Sequence, residues 1–217
     1  MTTSWNVSKK CFMCQTESSC EVLGSSNTFG GTPDLDTRPP EMMRSTMDWW
    51  IQECPHCGYV AGRLDNETSI SPAFLKSQRY TTCAGRNFQY ALAVKFYKDY
   101  LIRLEDGDHG GAFNAALNAA WACDDYDTEE NAVHCRLMAL EQLDKVLAQN
   151  SCDADDLIVM RADLLRRTGQ FDRLAEEYSN KKFENELLNK VIAFQLAKAK
   201  AQDTLCYRLE DIPGVEY

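Results

Sequence analysis

Hydrophobic residues follow two rhythms along this chain, and the change falls between Asn66 and Pro72. Before it, apolar positions come in short clusters. Residues 1–10 read as a polar lead-in ending in Lys9-Lys10, and residues 21–45 are rich in Gly, Ser, Thr and Pro. Met47, Trp49 and Ile51 alternate with Asp48, Trp50 and Gln52, a period of two that predicts a strand. Tyr59 and Val60 are expected to begin the strand that returns.

After the change the period is helical. Phe88, Leu92, Phe96, Tyr100 and Leu104 recur one turn apart, and Phe113, Ala116, Leu117, Ala120 and Trp121 form the stripe of a half-buried helix. Asp127 and Glu130 make a capping box ahead of Val133, Leu137, Leu140, Leu143 and Leu147. A further helix is expected after Ser151, carrying Leu157, Met160 and Leu164 and stopping at Gly169. A short helix over 171–178 and a longer one from Phe183 to about Asp203 complete the set. The predicted class is α+β: a metal module with a few short strands over residues 1–66, then a mainly helical domain over 67–217.

Arg166-Arg167-Thr168-Gly169-Gln170-Phe171 resembles the turn of a tetratricopeptide repeat, where a glycine and an aromatic join two antiparallel helices. The match is partial, because Leu174 stands where the repeat has alanine and Ala162 where it has glycine. Stacked helical hairpins and an irregular bundle are therefore both open.

Ten cysteines change the picture of the first segment. Cys11-Phe12-Met13-Cys14 and Cys54-Pro55-His56-Cys57-Gly58 are C-x-x-C turns, each aiming two sulfurs at one point, and two such turns make a tetrahedral cage. Pro55 and Gly58 suit the backbone of such a turn, whereas Gln15 stands where the first pair would be expected to have glycine. Zinc held by Cys11, Cys14, Cys54 and Cys57 is the expected cofactor, with iron the rival, because Cys-Pro-x-Cys-Gly also occurs in rubredoxin knuckles. Four thiolates leave no open coordination position, so the site is structural. Cys20 is a spare candidate ligand. Cys83, Cys123, Cys135, Cys152 and Cys206 read as small buried hydrophobes. His56 is expected at the surface, and His109 in a loop with Asp106-Gly107-Asp108 and Gly110-Gly111.

Charge bears on the partner. The net charge is −10, and residues 1–65 carry 5 basic against 8 acidic side chains. Nucleic-acid binding needs clustered Lys and Arg, so the acidic module argues against it and favours a protein or peptide partner, a basic one for preference. No apolar run reaches the 18 or so residues of a membrane span and no signal segment stands out, which places the chain in the cytoplasm. Catalysis is the lesser reading, since no nucleophile–base or phosphate-loop motif is present. One long loop is unusual in composition. Within it Asp34, Asp36 and Arg38 lie at alternate positions of an extended segment and are candidates for binding a small ligand, or for local structure alone.

The run Phe29-Gly30, Pro33-Asp34-Leu35-Asp36-Thr37-Arg38-Pro39 and Cys54-Pro55-His56-Cys57-Gly58-Tyr59 resembles an uncharacterised family of bacterial proteins, catalogued as a domain of unknown function. Its members pair two cysteine knuckles with a tetratricopeptide-like helical region. The resemblance covers residues 11–62 best. It implies a bacterial cytoplasmic origin and a metal-binding fold, and no activity.

Overall fold

The computed structural model describes residues 2–149 and 155–215. It is an α+β protein in which, among the described residues, two small hairpins with a one-turn helix between them precede seven further helices. The segment 1–10, expected as a lead-in, is strand β1 (Thr3–Lys10), and it pairs antiparallel with β2 (Glu17–Ser25) from Lys10 opposite Glu17 to Thr3 opposite Ser25. The period of two is weak there because both faces of the ribbon are largely wet. Trp5, opposite Val22, lies over Gly24, where a side chain would meet its ring at 1.9 Å.

Residues 47–51 also depart from expectation. Met47–Trp49 is a 3-10 turn following the one-turn helix α1 (Glu41–Arg44), and only Gln52–Glu53 is strand β3, paired with β4 (Val60–Ala61). The apolar residues Met47 and Ile51 are four apart as well as alternating, so a turn of helix buries both, and each is 3% exposed. The indole N–H of Trp50 donates to the Thr46 hydroxyl at 2.8 Å, closing the turn.

The helices are α2 (Gln78–Thr81), α3 (Ala91–Glu105), α4 (His109–Tyr126), α5 (Glu129–Gln149), α6 (Asp155–Arg167), α7 (Phe171–Tyr178) and α8 (Glu186–Lys200). α4 packs between α3 and α5, and its alanines are the reason this is possible. Ala112, Ala115, Ala116, Ala119, Ala120 and Ala122 are all at most 2% exposed, so both neighbours approach closely. His109 opens this helix rather than lying in a loop; Asp108 caps it, accepting the Gly111 N–H at 2.8 Å. The cap of α5 lies one residue later than expected. Thr128 accepts the Asn131 N–H, while Asp127 turns back to accept the N–H groups of Gln89 and Tyr90.

The start expected after Ser151, and Cys152, lie outside the described residues. α6 ends as expected: Gly169 is left-handed (φ 73°), and the Gln170 N–H returns to the Leu165 carbonyl at 2.8 Å. Across the hairpin the Tyr178 hydroxyl donates to the Ile158 carbonyl at 2.7 Å, and Leu174 and Ala162 are fully buried between α6 and α7. α8 covers the pair. It runs shorter than Phe183 to Asp203 because Asn185 caps it by accepting the Leu187 N–H. Among the described residues no helix is long and apolar enough to cross a membrane.

Buried side chains from the hairpins and from the helices belong to one continuous cluster. The second hairpin is fastened to the helices by Tyr80 Oη, which donates to the Gly58 carbonyl (2.6 Å), and by Lys98, which pairs with Glu53 (2.8 Å).

Candidate metal centre and the docked loop

Each C-x-x-C turn sits at the tip of one hairpin, and the two tips share a backbone geometry. In the first, the Cys11 N–H donates to the Thr16 carbonyl and the Gln15 N–H to the Cys11 carbonyl (3.0 and 2.9 Å). In the second, the Cys54 N–H donates to Tyr59 and the Gly58 N–H to Cys54 (2.8 and 2.9 Å). The fifth residue of both turns is left-handed, φ 74° at Gly58 and φ 60° at Gln15. Gln15 therefore takes the conformation a glycine takes more cheaply, steadied by its side-chain amide donating to the Phe12 carbonyl at 2.6 Å. The departure in sequence is not a departure in structure.

The four sulfurs converge, all within 4.8 Å of one another, with Cys11–Cys57 and Cys14–Cys54 both at 3.7 Å. A tetrahedron with metal–sulfur bonds of about 2.3 Å puts its sulfurs about 3.8 Å apart, whereas a disulfide needs about 2.05 Å. The arrangement fits a four-thiolate metal site and not a cross-link, and nine cysteines of the described residues are free. Cys20 is buried in β2 and stands outside the cluster. His56 is exposed.

Backbone N–H groups face the sulfurs: Met13 and Cys14 toward Cys11, Thr16 toward Cys14, Tyr59 toward Cys57. Hydrogen bonds from the Thr16 side chain and backbone pull the Cys14 thiol down to about 6, while burial pushes Cys11 and Cys57 up. Four thiolates in so small a space repel one another unless a cation lies between them, so metal entry and proton loss are coupled. With all four positions taken by sulfur, a bound ion has no site for substrate.

Asp34, Asp36 and Arg38 are not displayed by their loop; they are 3%, 1% and 3% exposed. The loop lies along the C-terminal segment, with the Leu35 N–H donating to the Tyr207 carbonyl (2.9 Å) and the Leu209 N–H to the Pro33 carbonyl (3.1 Å). Asp34 pairs with Arg44 at 2.7 Å. Asp36 accepts the Trp121 indole N–H (2.8 Å), the Arg38 N–H (3.2 Å) and one N–H of Arg167 (3.4 Å). Arg38 reaches Asp125 at 2.5 Å. The three side chains point to different partners rather than to one ligand.

Around them the helices carry charges that sequence reasoning did not single out. Arg136 grips Asp124 with both terminal nitrogens, and Arg167 reaches Asp124 at 3.2 Å. Arg166, fully buried, donates to Asp163, to Gln195 and to the carbonyls of Asp203 and Leu205. Burial alone would raise the Asp124 carboxyl, but Arg136 and Arg167 hold it below its ordinary value. For Asp36 burial wins, helped by the charge of Asp163, and its carboxyl is raised. One signal was available beforehand: Asp124 and Asp125 occupy the last turn of α4, where the helix dipole disfavours carboxylates. No protein-family model, no curated protein and no solved structure matches this chain.

Proposed function

We propose that this chain is a protein-interaction scaffold whose N-terminal ribbon is held by one structural zinc ion at Cys11, Cys14, Cys54 and Cys57. The observation that carries the reading is the meeting of four sulfurs at tetrahedral spacing on two matched hairpin tips. Zinc binding would supply the folding energy of a ribbon whose two sheets have two strands each. Iron suits the same ligands, and is distinguished by the red colour of its ferric form.

The helices beyond the ribbon are assigned to partner binding. The α6–Gly169–α7 hairpin, covered by α8, has the glycine–aromatic turn of a tetratricopeptide unit on shorter helices, and stacked hairpins of that kind offer extended binding surfaces. The small-ligand reading of Asp34, Asp36 and Arg38 is the weaker one, because their charged groups already have protein partners. Their assigned role is to lock the inserted loop onto α4 and α6.

The test is capture from a lysate of the source organism, run beside a thermal-shift screen of metabolites. A stoichiometric protein partner retained by zinc-loaded protein, with no metabolite raising the melting temperature, is the expected result. A metabolite that raises it by several degrees, with no protein retained, would overturn the scaffold reading.

A further inference from the structure

A cleft of about 320 Å³ lies where α1 and the following turn meet α3 and the end of α4. Its walls include two tyrosines, Tyr90 and Tyr126, with ring centroids 5.1 Å apart and edge to face. Tyr126 is 73% exposed, so it is not placed there to fill the core. Three carboxylates share the lining: Glu41, Asp48 and Asp125. Arg44 lines it too, but its charge is taken by Asp34 at 2.7 Å, as that of Asp125 is by Arg38. Among the described residues Glu41 and Asp48 have no ion-pair partner, which leaves the cleft negative by two charges. Asp125 and Tyr126 also end α4, and the negative end of its dipole adds to the same field.

An aromatic wall, two unpaired carboxylates and the nearby C-terminus of α4 together suit one kind of guest. A flat or compact cation gains from the ring faces and from the charge at once. Asp48 also lines a second hollow of about 300 Å³, together with Glu21, Trp49, Glu53 and Lys95. Two hollows sharing one wall residue favour an extended chain over a single ion.

We propose that this cleft binds an extended basic peptide segment of a protein partner, with an arginine or lysine side chain inserted beside Tyr90 and Tyr126. The assignment rests on the scaffold reading, and names the chemistry of what the scaffold holds. The arginine head lies against the tyrosine rings and is balanced by Glu41 and Asp48, while the peptide runs toward Trp49. The contact is electrostatic at an exposed site, so it weakens as salt is raised.

The experiment is a titration followed by backbone amide NMR on the full zinc-loaded chain. The probe is a blocked alanine peptide carrying two arginines, and the control is the same peptide with both replaced by citrulline, which keeps the shape and removes the charge. The arginine peptide should shift amides near Glu41, Asp48, Tyr90 and Tyr126, and the citrulline peptide should not. Tyr126→Ala should weaken it by about three-fold or more, and Asp48→Asn should do so with a smaller salt dependence. Both positions are exposed, so neither variant threatens folding. Equal binding of the two peptides, no shift at millimolar peptide, or shifts elsewhere on the surface would each overturn the cleft assignment. Equal shifts with calcium chloride would overturn it as well, marking an acidic surface open to any cation. A partner captured equally well by wild type and Tyr126→Ala would leave the scaffold reading standing while removing this site from it.

Discussion

Replacing Asp36 by alanine tests whether the inserted loop is a docked strap or a ligand loop. The carboxylate accepts from the Trp121 indole, from the Arg38 backbone and from Arg167, and it is 1% exposed. Alanine strands the first two donors inside the protein. A buried donor without a partner costs about 1–3 kcal/mol. Arg167 keeps Asp124 and so loses less. The sum is about 2–6 kcal/mol, against a total stability on the order of 5–15 kcal/mol for a domain. In urea, at about 3 kcal/mol/M for a protein of this size, the midpoint should fall by about 0.7–2 M. Asparagine keeps the acceptor and the shape, so it should cost less than half as much.

Its pH behaviour gives a second readout. The folded Asp36 carboxyl is raised above its unfolded value, first by burial. Its contribution is therefore complete below about pH 4 and is lost as pH rises toward the folded value. Asp36→Asn removes that slope. Urea melts followed by tryptophan fluorescence at pH 4 and pH 7 measure both effects. A cost below about 1 kcal/mol for Asp36→Ala would refute the strap, because no buried donor would then have lost its partner.

Gln15→Gly should stabilise the metal-loaded protein by about 0.5–1 kcal/mol, since the position is already left-handed, while Gly58→Ala should destabilise it by a similar amount; thermal melts with zinc present measure both. Asp99 is pushed up to about 6 by burial, with Arg103 pulling partly the other way. The stability it contributes is present below its unfolded value near 4 and lost as pH rises to about 6, so Asp99→Asn should flatten the loss between pH 4 and 6 and gain about 1 kcal/mol at pH 7. Tyr178→Phe should cost about 1 kcal/mol through the lost bond to the Ile158 carbonyl, read by urea melts, and no cost would mean that the α6–α7 hairpin does not rely on it.

Periodicity served the helices well because each buries one stripe, or, for α4, nearly its whole surface. α7 falls where Phe171 and Tyr178 placed it, and Gly169 ends α6 with the expected left-handed turn. The two hairpins were harder to see. β1 has six exposed residues among its eight, so no alternation marks it, and its partner β2 lies beyond a knuckle that the cysteines alone announced. Met47 and Ile51 satisfied two periods at once, and only packing chose the turn over the strand. For the centre, residue spacing was enough to bring four sulfurs together, because the C-x-x-C turn is local geometry. The charge network was not legible, since Asp36 meets Arg167 and Trp121 across more than eighty residues of chain. Local patterns carry no information about such partners.

Metal content is the most direct test of the central claim. Protein purified without added metal and without a metal-binding tag should carry about one zinc per chain by elemental mass spectrometry. Cys54→Ser should lose it, and Cys20→Ser should keep it, because Cys20 stands outside the sulfur cluster. Iron in place of zinc would contradict the choice of ion. Folded, freshly reduced protein with no metal at all would contradict the site itself.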